Sequence, residues 1–183
     1  MAKLILVTGA ARSGKSEWAE QLAADSGKSV IYIATAQENV EDLEWQARIE
    51  KHRSRRPETW QTRSIPVALS AAIVDSSASD CLLIDSLGTW LANLLDQTET
   101  EWQDTLEALF RSFDRTESLI IFVAEETGWG VVPAYPIGRL FRDRLGNLVR
   151  ELGAITDAVY LVAGGHVLNL SQLGTPLKSH LHK

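Results

Sequence analysis

ILVTGAARSGKSEWAE, residues Ile5–Glu20, carries an apolar segment into a glycine-rich loop and the loop into a helical pattern. Gly9, Ala10, Ala11, Arg12, Ser13, Gly14, Lys15 and Ser16 fit G-x-x-x-x-G-K-[ST], with a strand before and a helix after, where the chemistry needs them. Backbone N–H groups of such a loop close around phosphate oxygens, and the helix N-terminus adds partial positive charge. Lys15 is expected to reach the outer phosphates and the Ser16 hydroxyl to ligate Mg²⁺. The stretch therefore predicts a nucleoside triphosphate as ligand, and the rest of the chain can be read around it.

Apolar, β-branched runs recur at "LILVT", "SVIYIAT", "CLLID", "LIIFVA" and "AVYLVA", each followed by a segment of helical spacing. The alternation predicts an α/β fold, a mostly parallel sheet with helices on both faces, in a single domain over residues 1–183. Phe141, Leu145, Leu148 and Leu152 step by four, three and four, which places them on one face of a helix. Residues from about Val40 to Arg56 read as helical, Trp60 to Pro66 as a connecting loop, and Ser76 to Ser79 as a turn.

Open α/β sheets bind ligands beyond the carboxyl ends of their strands. Asp85, closing "CLLID", is thus the candidate carboxylate for Mg²⁺; the competing role is a cap on the helix "SLGTWLANLL". Glu125 and Glu126 end another strand and can supply a second carboxylate as general base or through a metal-bound water. For Glu125 the preferred reading is a solvated loop residue.

The chain has 183 residues, a net charge of −6 and a pI near 5.2, yet "RIEKHRSRRP", Arg48–Pro57, holds five basic side chains and a histidine. With no second basic cluster and an acidic whole, nucleic acid is not the expected partner, and a small polyanion is. On a helix Arg48, His52 and Arg55 or Arg56 share a face. Nearby cations keep an imidazole neutral at pH 7, which suits it to attack phosphorus; a solvated surface histidine is the alternative. Cys81, the one cysteine, is expected to be a buried thiol in a reducing compartment. No apolar stretch approaches the roughly 18 residues of a membrane span, and "MAKLILVTG" reads as a first strand rather than a signal. The protein is expected to be cytoplasmic.

Five stretches in order, "ILVTGAARSGKSEWAE", "YIATA", "RIEKHRSRRPETWQT", "DSLGTWLANLL" and "ETGWGVVPAYPIGRLFRDRLG", resemble the bifunctional adenosylcobinamide kinase / adenosylcobinamide-phosphate guanylyltransferase family of cobalamin biosynthesis. The resemblance spans nearly the whole chain. It implies a RecA-like P-loop fold assembled as a homotrimer. It also implies two steps: ATP or GTP phosphorylates adenosylcobinamide, and a histidine then takes GMP from GTP and passes it to adenosylcobinamide phosphate. The guanylylated histidine falls on His52, with Arg53, Ser54, Arg55 and Arg56 around the GTP phosphates. Ala34, Thr35 and Ala36 would border the nucleotide, and Asp85 matches an acidic binding position. The chain departs from the family pattern at Glu125, where an asparagine is usual, at Ser64, and at Val149 and Arg150. Trp129, between glycines, is a candidate for contact with the corrinoid.

Overall fold

The computed structural model describes residues 2–37 and 56–177. Seven strands, β1 (Lys3–Gly9), β2 (Ser29–Ala34), β3 (Gln61–Ser64), β4 (Asp80–Asp85), β5 (Leu119–Glu125), β6 (Ala158–Ala163) and β7 (His166–Asn169), form one sheet in the order β3-β2-β4-β5-β1-β6-β7. Every pairing is parallel except β6 with β7. The helices are α1 (Lys15–Ala24), α2 (Leu69–Val74), α3 (Leu87–Ala92), α4 (Glu99–Phe113), α5 (Pro136–Ile155) and α6 (Leu170–Leu173).

All five apolar runs are strands, and four of them, β1, β2, β4 and β5, are buried nearly end to end. Side chains alternate across them into two cores. Leu6, Ile33, Leu82, Ile84, Ile120 and Phe122 pack with Trp90, Leu109, Leu145 and Leu148. Val7, Tyr32, Leu83, Ile121 and Val123 pack on the other face with Ala19 and Ala23 of α1. Helices thus cover both faces, and each fully buried aliphatic side chain contributes about 1.5–3 kcal/mol. Leu145, Leu148 and Leu152 are buried on α5 with Phe141 packed against them, as their spacing predicts.

One element departs from the sequence reading. Residues 60–66 are not simply a loop, because Gln61–Ser64 pairs with β2 from Ile31↔Gln61 to Ala34↔Ser64. The strand is polar and mostly exposed because it lies at the sheet edge, where little apolar burial is available to mark it. Ser76–Ser79 does form the approach to β4, with the Ser77 N–H donating to Asp80 Oδ2 at 2.8 Å. The helix expected from about Val40 falls outside the described residues except for Arg56.

A buried charge on α5 was not anticipated. Arg144 is 6% exposed, and its Nη2 donates to Gln97 O at 3.0 Å and lies 3.5 Å from the exposed Glu99 carboxylate. Its Cζ lies 5.2 Å from the Trp102 ring centre, while Nε and Nη1 have no hydrogen-bond partner. A half-satisfied buried cation stabilises little, but its stem fills space. Arg144→Met is therefore expected to stay within about 1 kcal/mol of the parent or exceed it, and Arg144→Ala to lose about 2–3 kcal/mol through the cavity left behind. Urea midpoints compare the two directly.

Candidate nucleotide site

The site is built at the carboxyl edge of the central strands. β1 ends at Gly9, and the loop turns through Arg12, at φ 59°, and Gly14, at φ 96°, into α1. The N–H groups of the first turn of α1 have no earlier helical carbonyl to bind. Lys15 Nζ folds back to Ala10 O at 3.3 Å, so the ammonium lies over the loop. The Ser13 hydroxyl is buried inside it without a hydrogen-bond partner. Ala10 and Ala11 are exposed, and Ser16 is half-buried on the second residue of α1. Loop, lysine and hydroxyl stand where the sequence places them.

Asp85 ends β4 on the same face of the sheet as α1, because Cys81 and Leu83, two and one alternations before it, pack in the α1 core. The competing role as a helix cap is taken by its neighbour: Ser86 is the N-cap of α3, its Oγ accepting from Thr89 N at 3.3 Å. Asp85 Oδ2 accepts from the Tyr32 hydroxyl at 3.0 Å, and Oδ1 takes no hydrogen bond from the described residues. A hydroxyl on α1 and a carboxylate oxygen that takes no hydrogen bond from the described residues are the donor types that would suit Mg²⁺, whose remaining ligands would be phosphate oxygens and water.

Tyr32 is 4% exposed, and the Arg56 guanidinium lies over its ring, Cζ 3.3 Å from the ring centre. Burial first, then the Asp85 charge, holds the phenol well above the ordinary tyrosine range, with Arg56 pulling the other way. The hydroxyl is thus a proton donor throughout the physiological range.

Glu125 is no solvated loop residue. It is half-buried at the end of β5, accepting from Ser86 Oγ at 2.5 Å and from Gly88 N at 3.0 Å, so its charge meets the start of α3. A Cβ on Gly88 would stand 2.1 Å from its Oε2, so a side chain there would have to displace the carboxylate. Glu126 takes a different partner: its Oε1 accepts from Thr8 Oγ1 at 2.7 Å and its N–H donates to Gly9 O at 3.0 Å. β5 lies between β1 and β4, so Glu126 stands between the phosphate loop and the Asp85 strand.

Ala34 and Ala36 are half-buried at this edge, while Thr35 is wholly buried. Its hydroxyl donates to Ser86 O at 2.8 Å and accepts from Ser86 N at 2.9 Å, pegging β2 to the turn after β4. Asn93 spans Thr35 O and Pro66 O at 2.8 and 2.9 Å. Thr35 therefore holds the frame of the site with its side chain. Arg56 lies over the Tyr32 ring, whereas His52, Arg53, Ser54 and Arg55 lie outside the described residues. Sequence reasoning missed the Tyr32–Asp85, Thr8–Glu126 and Glu125–Gly88 pairings, whose partners are 53, 118 and 37 positions apart. The one available signal was that each pair ends or follows an apolar strand.

The loop after Glu126 exposes Trp129, Val131, Val132 and Tyr135. Arg139 Nη1 pins it to α5, donating to Pro133 O and Ala134 O at 3.0 and 2.7 Å. Among the described residues no helix is long and apolar enough to cross a membrane.

The arrangement is that of a P-loop fold, and solved structures share its architecture. A Pyrococcus horikoshii protein superposes with a TM-score of 0.59 at 8% identity, covering 99% of this chain and 94% of that one. A prototypical ATPase from the type III secretion system of pathogenic bacteria gives 0.52 at 11% identity, covering 93% of this chain and 53% of that one. In sequence the chain is 41% identical over 174 residues to the bifunctional adenosylcobalamin biosynthesis protein CobP of Pseudomonas aeruginosa, covering 94% of this chain and 98% of the relative. It is 37% identical over 177 residues to the bifunctional adenosylcobalamin biosynthesis protein CobU of Escherichia coli, covering 88% and 96%. The family model CobU, cobinamide kinase / cobinamide phosphate guanyltransferase, matches residues 5–170. With its phosphate loop, its edge carboxylates and this match over most of its length, the chain belongs to the cobinamide kinase / cobinamide phosphate guanyltransferase family.

Proposed function

We propose that the protein phosphorylates the aminopropanol hydroxyl of adenosylcobinamide with ATP or GTP and then guanylylates the product from GTP through His52. The observation that carries the reading is the convergence, at one sheet edge, of the Lys15 loop, Asp85 and Arg56, four residues beyond His52. In the first step the loop N–H groups and Lys15 hold the triphosphate, and Ser16 and Asp85 would hold Mg²⁺, which would neutralise phosphate charge. Glu126, fixed by Thr8, accepts the proton of the attacking hydroxyl as its oxygen bonds to the γ-phosphorus and the nucleoside diphosphate leaves.

In the second step a neutral nitrogen of His52 bonds to the α-phosphorus of GTP. The α–β phosphoanhydride bond breaks, and pyrophosphate departs with the electron pair. A phosphate oxygen of adenosylcobinamide phosphate then attacks the same phosphorus, and the P–N bond returns its pair to the imidazole. Arg53, Ser54, Arg55 and Arg56 surround the leaving phosphates, and Ala34, Thr35 and Ala36 border the nucleotide through their backbone. The exposed apolar run from Trp129 to Tyr135, beginning three residues after Glu126, supports a platform for the corrinoid face. The working form is a cytoplasmic homotrimer, which light scattering of the purified protein checks.

The test incubates the protein with Mg²⁺ and GTP labelled at the α- or the γ-phosphate and asks which label survives denaturation. Retained α-label that is acid-labile, base-stable and absent from His52→Ala is the expected result. Phosphorylated adenosylcobinamide with no retained label would reduce the protein to a kinase.

A further inference from the structure

Three side chains from three adjacent parts of the sheet edge make a continuous chain: Arg56, just before β3, Tyr32 on β2 and Asp85 on β4. Tyr32 is the middle member and touches both of the others. Its ring carries the guanidinium and its hydroxyl reaches the carboxylate, at 3.3 and 3.0 Å. Among the described residues Arg56 has otherwise one long Nη1 contact, to Thr62 Oγ1 at 3.5 Å, and its buried Nε has no hydrogen-bond partner. Asp85 receives no other hydrogen bond from the described residues. Among the described residues the phenol is therefore the closest contact of the guanidinium and the one hydrogen-bond donor to the carboxylate.

We propose that Tyr32 is a positioning residue that couples the two halves of the site, aiming the Asp85 carboxylate toward the nucleotide's cation and seating the guanidinium that follows the His52 segment. The proposal rests on the functional reading above and deepens it.

Three physical consequences give it content. A carboxylate that receives one hydrogen bond on Oδ2 is held in a single rotamer, so Oδ1 is presented to a cation without loss of side-chain freedom on binding. A guanidinium held over an aromatic face by its central carbon can still offer its terminal N–H groups to phosphate, and its planar fork suits phosphate better than an ammonium on a flexible stem. Because both contacts meet on one ring, moving either partner moves the other.

The experiment uses the full chain and reads equilibrium binding of a fluorescent GTP analogue as Mg²⁺ is titrated. Tyr32→Phe keeps the ring under Arg56 and removes only the hydroxyl. The Mg²⁺ concentration for half-maximal enhancement of binding is expected to rise about 10- to 100-fold, the usual cost of losing a partner behind a metal-binding side chain. Binding without Mg²⁺ should stay at the parent level. Asp85→Asn should produce a shift at least as large, and the double variant no more than Asp85→Asn alone, because both act through one carboxylate. Tyr32→Leu should in addition reduce retained α-label, since it also removes the seat of Arg56.

A parent-like Mg²⁺ midpoint for Tyr32→Phe would overturn the role of the hydroxyl, as would shifts that add in the double variant. A fall in thermal stability with an unchanged midpoint would make Tyr32 a packing residue only and overturn it as well. If the parent protein itself binds the analogue without any response to Mg²⁺, the nucleotide-site reading fails first, and the role of Tyr32 falls with it.

Discussion

Lys15→Ala is expected to lower phosphoryl transfer to adenosylcobinamide by about 10²–10³-fold, the cost of removing one preorganised charge from a transferring group. The lysine is the first residue of α1, and its ammonium lies back over the loop against Ala10 O at 3.3 Å. It therefore lies against the same backbone that would hold phosphate. Developing charge on the γ-phosphoryl oxygens meets a cation that does not have to be recruited from solvent.

The same substitution should leave folding intact. The bond to Ala10 O is long and at an exposed position, and a net contribution above about 1 kcal/mol is not expected from it. Initial rates with γ-labelled nucleotide and a urea midpoint on the same preparation separate these effects. Equal losses in kcat and kcat/KM would assign the lysine to the transition state, whereas a rise in KM alone would assign it to binding. Lys15→Arg should recover only part of the rate, because a planar fork does not occupy the space of a point charge. Unchanged turnover in Lys15→Ala would mean that the loop does not hold the transferring phosphate.

Which parts of this site can be read from sequence follows from what each part depends on. The phosphate loop is contiguous, so Gly9 to Ser16 is legible as soon as a strand and a helix flank it. Asp85 is legible for a similar reason: "CLLID" announces a buried strand, and its last residue must reach the carboxyl edge. β3 is not legible, since QTRS pairs on one side only and carries no apolar alternation. The Tyr32 contacts require the order β3-β2-β4, which no local pattern encodes. Glu125 was misread because its partners, Ser86 and Gly88, belong to a different strand's exit. Arg144 lies one residue before Leu145 and so borders the apolar stripe of α5, but its burial depends on Trp102 and Gln97 of another segment.

Gly9→Ala should be the most damaging single methyl in the described residues of the loop. Gly9 closes β1 and pairs with Val162 of β6, and an added Cβ would lie 2.5 Å from Val162 O and 2.6 Å from Ser13 Oγ. The carbonyl belongs to the sheet and cannot rotate away as a side chain can. Either β6 separates from β1 or the loop lifts, and overpacking of this kind costs about 1–3 kcal/mol or more. For a chain of this length that corresponds to a fall in Tm of roughly 2–12 °C. A loop displaced by about 1 Å should also lose about 10²-fold in turnover. Two other glycines separate collision from backbone strain. At Gly14 the nearest atom to an added Cβ is Val162 Cγ1 at 3.8 Å, so Gly14→Ala bears only the strain of φ 96°, of order 1–2 kcal/mol. Gly27, at φ 68° with nothing within 4 Å, lies in the turn after α1, and Gly27→Ala should cost a similar stability with no change in turnover. Thermal unfolding and labelled transfer on the three variants should therefore rank Gly9 first on both scales. Parent-like stability and turnover in Gly9→Ala would show that the close approach of β1 to β6 does not set the shape of the phosphate loop.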